Sequence, residues 1–151
     1  MKINANTDFL YRSLIYVALH PDRLVTAREI AEAYGLSINH IAKVCQDLIR
    51  HGLLEGHRGR GGGVRLAKPA DKIRLGDVIH LGESKPLVID CNAGIGGPCK
   101  IVPACRLRGV FAKAQRAFLA ELNAHTLADM VAQPGMANQL RSLLGSSPAT
   151  V

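Results

Sequence analysis

The stretch that decides the fold is TAREIAEAYGLSINHIAKVCQDLIRHG, which covers Thr26–Gly52. Thr26 is followed three residues later by Glu29, the pattern of a capping box, and this predicts a helix that begins after Thr26 and ends at Gly35. Ser37 then predicts the N-terminus of a second helix, which continues to the end of the stretch. Two helices joined by so short a turn predict a helix-turn-helix.

A glycine-rich segment follows directly and reads LLEGHRGRGGGVRLA over residues 53–67. Two short strand-like runs on either side of a glycine-rich turn predict a β-hairpin. A hairpin placed immediately after a helix-turn-helix predicts the wing of a winged helix. The expected fold class is therefore mostly α with a small β-hairpin wing: a winged helix-turn-helix plus a long dimerisation helix.

Helical patterns flank this unit on both sides. Apolar residues at three- and four-residue steps predict a first helix capped by Thr7, a short helix over Leu75–Leu81, a long one from Leu107 to His125, and another short one over Leu127–Val131. The apolar stripe of the long helix is wide enough to pack on the same helix of a second subunit, although packing within one chain would also explain it. The predicted divisions are a winged helix-turn-helix domain (1–80), a cysteine-bearing loop (81–106), a dimerisation helix with a C-terminal packing segment (107–140) and a flexible tail (141–151).

Positive charge is concentrated in one part of the sequence. The 151 residues carry a formal charge of +7, and the segment between Arg50 and Arg74 holds seven basic residues against two acidic ones. A solvated surface would account for such a cluster, but the glycines around Arg58 and Arg60 would also let a hairpin tip approach a phosphate backbone closely. We therefore predict contacts to double-stranded DNA. The candidate DNA-binding residues are Arg28, Ser37, Asn39, His40, Lys43, Arg58, Arg60 and Arg65.

Composition excludes several other classes of protein. Aromatic residues make up 4% of the chain and Trp is absent, which argues against the base-stacking platforms of single-strand-binding proteins. No apolar run is long enough to span a bilayer or to act as a secretory signal, so we expect a cytoplasmic protein with no membrane partner. No nucleophile–base pair stands out, and Gly59–Gly63 lacks the Lys-Ser/Thr of a P-loop, so no enzymatic activity is expected.

The four cysteines divide into one and three. Cys45 lies at core spacing in the second predicted helix and is expected to be a buried thiol. Cys91, Cys99 and Cys105 fall within CNAGIGGPCKIVPAC, whose wide gaps do not match zinc-ribbon or ferredoxin spacings. Cys105 precedes the long helix, where the helix dipole favours a thiolate or an anionic cluster. Iron–sulfur, zinc and free-thiol interpretations remain open at this point, and a cluster would need a fourth ligand from elsewhere.

The sequence resembles the winged-helix iron–sulfur transcription regulators of the IscR, NsrR and RirA type, and most of all the nitric-oxide-sensing NsrR branch. The resemblance covers about residues 1–140. It rests on Thr7-Asp8, Arg12–Tyr16, Ala33–Ser37, the Arg58–Leu66 wing, Ile73–Val78, Pro103–Leu107 and Thr126–Val131.

The resemblance implies an iron–sulfur cluster on Cys91, Cys99 and Cys105, as a 4Fe–4S cluster with 2Fe–2S as the alternative. In the IscR branch the fourth ligand is a His three residues after the last Cys, and Arg108 occupies that position here. The NsrR branch is similar at Asp8, which implies that the partner subunit's carboxylate completes the site. Instead of binding a cluster, Asp8 could have the structural role of a negative charge that stabilises the N-terminus of a helix.

The implied function is that of a homodimeric repressor on a palindromic operator, which releases the DNA when nitric oxide nitrosylates the cluster or the cluster is lost. Two alternatives stay within the same fold: an iron-responsive, RirA-like cluster regulator and a metal-free thiol switch. An electron carrier or cluster scaffold is a further alternative. The basic wing beside a helix-turn-helix counts against it, because electron transfer needs neither.

Overall fold

The computed structural model describes residues 3–83, 91, 98–133 and 135–145. Parts of the predicted loop (84–90 and 92–97) and of the predicted tail (146–151) lie outside the described residues. The elements in chain order are α1 (Ala5–Ala18), α2 (Ala27–Tyr34), α3 (Ile38–Arg50), β1 (Leu54–His57), β2 (Gly63–Leu66), α4 (Leu75–Gly82), α5 (Arg106–Ala124), α6 (Leu127–Val131) and α7 (Met136–Leu143). Short 3-10 turns cover Ala70–Lys72 and Val102–Ala104.

Helices α2 and α3 form the predicted helix-turn-helix. The Thr26 hydroxyl accepts a hydrogen bond from the Glu29 amide at 3.2 Å, and the Glu29 carboxylate accepts one from the Thr26 amide at 2.7 Å. Both halves of the capping box are therefore present. Gly35 ends α2 with φ +63°, a left-handed conformation that favours glycine. Ser37 stands at the N-cap of α3, as predicted, but its side chain makes no capping hydrogen bond.

The predicted wing is confirmed as a two-stranded antiparallel hairpin. The register pairs Leu54 with Leu66 and Glu55 with Arg65. Val25, just before α2, forms an isolated bridge to Val64 of β2. This bridge ties the wing to the helix-turn-helix, so that the hairpin is held against the domain on one side.

One core lies beneath α1, α2, α3 and the wing. Cys45 belongs to it with 4% exposure, as expected, and burial raises the pKa of its thiol to about 11. Each large aliphatic side chain buried in this way stabilises the fold by roughly 1.5–3 kcal/mol. The most completely buried members include Leu10, Leu14, Ile30, Ile41, Leu48, Leu54, Ile73 and Ile79.

The start of α1 differs from the prediction that Thr7 caps it. Asn4 is the N-cap, and its side-chain oxygen accepts a hydrogen bond from the Thr7 amide at 2.9 Å. Thr7 is fully buried, and its hydroxyl donates to Glu83 at 2.8 Å. The burial of Thr7 and its hydrogen bond could not be predicted from local spacing, because Glu83 is 76 residues away in the chain.

The C-terminal elements extend further than the predicted divisions. The long helix forms as α5, and Thr126 and Asp129 make a second capping box before α6. Helix α7 includes residues 141–143, which the sequence analysis assigned to the tail. The Arg141 guanidinium donates two hydrogen bonds, of 2.9 and 2.7 Å, to the carbonyl oxygen of Leu19 at the end of α1. The described part of that segment is therefore attached to the domain.

Candidate nucleic-acid interface and cysteine segment

The polar side chains on one face of α3 are exposed to solvent. Asn39, Lys43, Gln46 and Arg50 are all exposed, while Ile41, Val44, Cys45 and Leu48 are buried on the opposite side. The exposed residues follow steps of four, three and four, so they share one stripe of the helix. The sequence analysis named Asn39 and Lys43 but missed Gln46 and Arg50. The same spacing argument that identified the core residues would have found them.

Two other predicted contact residues lie in the first turn of α3. Ser37 is exposed, and because its hydroxyl makes no capping bond it is available to another partner. The His40 ring faces the ring of Phe9 in α1, with centroids 6.4 Å apart and an interplanar angle of 23°. His40 therefore lies against α1, at the side of the stripe.

The predicted cations of the wing are not equivalent. Arg58 and Arg60 are exposed in the turn, and neither forms an ion pair within the described part of the chain. Arg65 is paired with Glu55 directly across the two strands. Hydrogen bonds from Arg65 and then from His57 lower the pKa of Glu55 below its usual value. The charge of Arg65 is thus balanced locally, and Arg58 and Arg60 remain as the free positive charges of the tip.

Arg28, the remaining predicted contact, lies on α2. Its guanidinium is 3.9 Å from the Glu32 carboxylate, and both side chains are well exposed. An exposed pair at this distance contributes little stability, so Arg28 can exchange Glu32 for a phosphate at small cost.

Backbone hydrogen bonds connect the three clustered cysteines. The Cys99 amide donates to the Cys91 carbonyl at 3.0 Å, and the Val102 amide donates to the Cys99 carbonyl at 3.2 Å. The Cys105 amide donates to the Val102 carbonyl at 3.4 Å, and Cys105 is the N-cap residue of α5. Cys91 and Cys105 are half-buried and Cys99 is exposed. The structure therefore ties the start and the middle of the segment together and places its end at a helix N-terminus.

The metal-ligating side chains that the structure describes in this segment do not form a group around a common point. Among the described residues, no three His, Cys, Asp or Glu side chains are grouped as a metal ion would require. The donor set itself suits an iron–sulfur cluster, because soft thiolates are the ligands that such clusters use. The segment thus fits the cluster by its donors and its backbone links, although one chain does not display the assembled ligand sphere.

Asp8, the predicted fourth ligand, lies in the first turns of α1. Its carboxylate forms an ion pair of 2.8 Å with Nε of Arg12, and the two side chains are 45% and 42% exposed. The Arg12 guanidinium in turn lies 5.6 Å from the centre of the Tyr34 ring at the end of α2. Asp8 is therefore accessible to a second subunit, and its present partner connects it to the helix-turn-helix.

Glu83 connects the beginning of the cysteine-bearing loop to α1. Its carboxylate accepts hydrogen bonds from the Asn4 amide at 2.9 Å and from the Thr7 hydroxyl at 2.8 Å. Gly82, the preceding residue, lies so close to Thr7 that a Cβ there would be 2.1 Å from the Thr7 hydroxyl oxygen. The residues that lead into the loop are thus held against the helix that carries Asp8.

Helix α5 stands apart from the core. None of its residues is buried, and Leu107 and Val110 are 54% and 60% exposed. In the described part of the chain, no helix is both long and apolar enough to cross a membrane.

Comparison with protein families gives one match over most of the chain. The sequence model of the Rrf2 family, described as iron-dependent transcriptional regulators, matches residues 3–133. These residues include the helix-turn-helix, the wing, the three clustered cysteines and α5.

Several solved structures share the fold. CymR of B. subtilis, described as the global cysteine regulator, is 21% identical, with a TM-score of 0.69 over 89% of this chain and 98% of that one. IscR of T. potens is 26% identical, with a TM-score of 0.71 over 89% and 93%. The oxidized form of CymR from Staphylococcus aureus is 24% identical, with a TM-score of 0.67 over 84% and 93%. The predicted winged-helix fold is confirmed.

Proposed function

Because the chain belongs to the Rrf2 family of winged-helix transcriptional regulators, we propose that it is a homodimeric repressor whose DNA binding depends on an iron–sulfur cluster and responds to nitric oxide. The observation that carries this proposal is the link from the cysteine segment to α1. Glu83 joins the entry of the loop to the first turn of the helix that bears Asp8. The start of the loop and the DNA-binding domain are therefore joined by hydrogen bonds, which supports coupling between them.

The proposed ligands are Cys91, Cys99 and Cys105 of one chain and Asp8 of the other. Three thiolates supply the soft donors that an iron–sulfur cluster prefers, and a carboxylate is a weaker fourth donor. When bound, the cluster would supply the site at which nitric oxide reacts. Arg12 pairs with one oxygen of the Asp8 carboxylate, so the other oxygen is available to bind the cluster while the ion pair beside Tyr34 remains.

The second subunit is proposed to lie along α5. In the single chain Leu107 and Val110 of this helix are exposed and none of its other apolar side chains is fully buried. A helix with such an apolar stripe is stabilised when a partner covers it. Two copies related by a twofold axis present two α3 helices to a palindromic site, whose half-sites are about 34–36 Å apart. DNA binding then depends on the separation of the two domains. A 100-fold release needs about 2.7 kcal/mol, which a few lost phosphate contacts supply.

Anaerobic purification with metal analysis tests the cofactor. We expect a coloured protein whose iron and sulfide content is lost in Cys91→Ser, Cys99→Ser and Cys105→Ser. Cys45→Ala is the matched control, because its thiol is buried in the core and should leave the iron content unchanged. Iron-free wild-type protein that binds its operator as tightly as the purified form would contradict the proposal.

The signal and the fourth ligand need separate measurements. Titration with nitric oxide should release the operator at lower equivalents than iron chelation does; the reverse order would favour an iron-responsive regulator. Asp8→Ala should change the absorbance spectrum and the response to nitric oxide. Arg12→Gln is the control that removes the ion pair but keeps the carboxylate. An unchanged spectrum and response in Asp8→Ala would remove Asp8 from the ligand set.

A metal-free thiol switch is the second candidate, and a specific contact favours it. The hydrogen bond of 3.0 Å between the Cys99 amide and the Cys91 carbonyl brings these two residues side by side. Oxidation by a peroxide would join their sulfurs, with loss of one proton and one electron from each thiol. Iron-free protein should then lose two mass units and release DNA on oxidation, and a dithiol should reverse both changes. DNA release that strictly requires iron would exclude this candidate.

A further inference from the structure

We propose that Asn39 and Gln46 each read an adenine in the major groove and that Lys43, between them, reads a guanine. This inference deepens the proposed function, because it requires that the protein bind double-stranded DNA through α3. It predicts a feature of the operator half-site: two adenine contacts flanking a guanine contact within one short run of base pairs.

The three side chains have no partner in the part of the chain that the structure describes. Within the described residues, Asn39, Lys43 and Gln46 make neither a side-chain hydrogen bond nor an ion pair. Two other polar residues of the helix-turn-helix are occupied: Glu29 caps α2, and Arg50 forms an ion pair of 3.0 Å with Asp47. Ser37, whose hydroxyl makes no capping bond, precedes the helix at its N-cap. The free hydrogen-bonding groups of α3 are therefore concentrated at these three positions.

The helix geometry presents them together. With about 100° of rotation per residue, positions 39, 43 and 46 lie within an arc of about 60°. The arc faces away from the buried residues of α3, whose centre lies between Ile41 and Leu48. The rise from Asn39 to Gln46 is about 10.5 Å, which corresponds to about three base-pair steps along a groove. One face of α3 can thus contact neighbouring base pairs at the same time.

The chemistry of the side chains selects the bases. A carboxamide offers one acceptor and one donor, which match the N6 amino group and N7 of adenine. A lysine offers donors alone, which match O6 and N7 of guanine. Arg50 already has Asp47 as a partner and His40 lies against Phe9, so we assign these two residues to the phosphate backbone or to the protein itself.

The first experiment selects duplexes from a randomised DNA pool with the full-length, anaerobically purified protein. We expect the enriched half-site to contain two adenines within about three base-pair steps. Asn39→Ala and Gln46→Ala should each lose the preference at a different one of these adenines. Arg50→Ala is the matched control, which should weaken binding without changing the selected sequence.

The second experiment replaces each adenine in turn by 7-deazaadenine, which keeps the base pair but removes N7. Wild-type affinity should fall about 5-fold or more at each position, within the range of about 5- to 150-fold for losing a complete bidentate contact. The penalty at one position should disappear in Asn39→Ala and the penalty at the other in Gln46→Ala.

Failure of DNA binding and failure of base reading by the two amides give different results. If no duplex is enriched, the proposed function is wrong. If duplexes are enriched but the two variants select the same sequence as wild type, or if the 7-deazaadenine penalty persists in both variants, the amides contact phosphates and this inference is overturned.

Discussion

The wing allows a quantitative test, because two of its three arginines are free and one is paired. Replacing Arg60 with Gln removes an exposed positive charge from the hairpin turn without removing a contact inside the described part of the chain. Each phosphate that a protein neutralises contributes about 0.9 to the slope of log affinity against log salt concentration. A dimer loses one such contact per subunit, so the slope should decrease by about 1.8.

The assay is fluorescence anisotropy with a labelled duplex, titrated between 50 and 200 mM salt. Over this fourfold range, a slope change of about 1.8 corresponds to about a tenfold smaller loss of affinity for Arg60→Gln than for wild type. Arg65→Gln is the matched control from the same hairpin. Because Glu55 already balances Arg65, this variant should change the slope by less than half as much.

Two outcomes would refute the reasoning. An unchanged slope in Arg60→Gln would mean that the wing tip does not contact phosphate. Equal changes in Arg60→Gln and Arg65→Gln would mean that the ion pair with Glu55 opens on DNA, so that the distinction between free and paired cations has no consequence for binding.

Three further predictions concern stability and reactivity. Thr26→Ala should reduce the free energy of unfolding by about 1 kcal/mol in urea denaturation, because it removes the capping box, whereas Ser37→Ala should have almost no effect on stability. Arg141→Ala should lower the free energy of unfolding by about 1 kcal/mol, because it removes the two hydrogen bonds to the Leu19 carbonyl. Ser142→Ala in the same helix should leave the free energy of unfolding unchanged. Equal effects of the two substitutions would mean that the Arg141 contact does not hold α7. In folded, iron-free protein at pH 8, iodoacetamide should label the exposed Cys99 and spare Cys45, whose pKa of about 11 leaves about one thiolate in a thousand. Labelling of Cys45, detected by mass spectrometry of the digested protein, would contradict this prediction.

Local signals in the sequence were sufficient for most of the fold. Thr26, Glu29 and Gly35 specify the ends of α2 through contacts no more than a few residues apart, and the glycine-rich run of the wing does the same for the hairpin. At α1 the prediction overlooked a local signal, since the N-cap Asn4 lies only three residues before Thr7, whereas the burial of Thr7 against Glu83 depends on a contact between distant parts of the chain. Helix α7 was missed for the same reason, since Arg141 is held by the carbonyl group of Leu19.

In the candidate site, too, some features follow from local sequence and others depend on distant contacts. The polar stripe of α3 follows from helix periodicity alone, and Gln46 could have been added to Asn39 and Lys43 on that basis. The pairing of Arg65 with Glu55 could not, because it depends on the strand register that sets these two residues opposite each other. Net charge identified the wing as basic, but the register determines which of its cations are free.

Helix α1 is the element that both halves of the proposed mechanism share. It packs against α3, which carries the reading face, and against α4, whose end leads into the cysteine segment. Glu83 fastens that end to the first turn of α1, and Asp8, four residues from the N-cap, is offered to the second subunit. In the proposed mechanism, a rotation of α1 would therefore move α3 and the residue that begins the cysteine-bearing loop together. Because a packed core repacks between discrete arrangements rather than deforming gradually, a small displacement at the loop would, in the proposed dimer, change the spacing of the two reading helices.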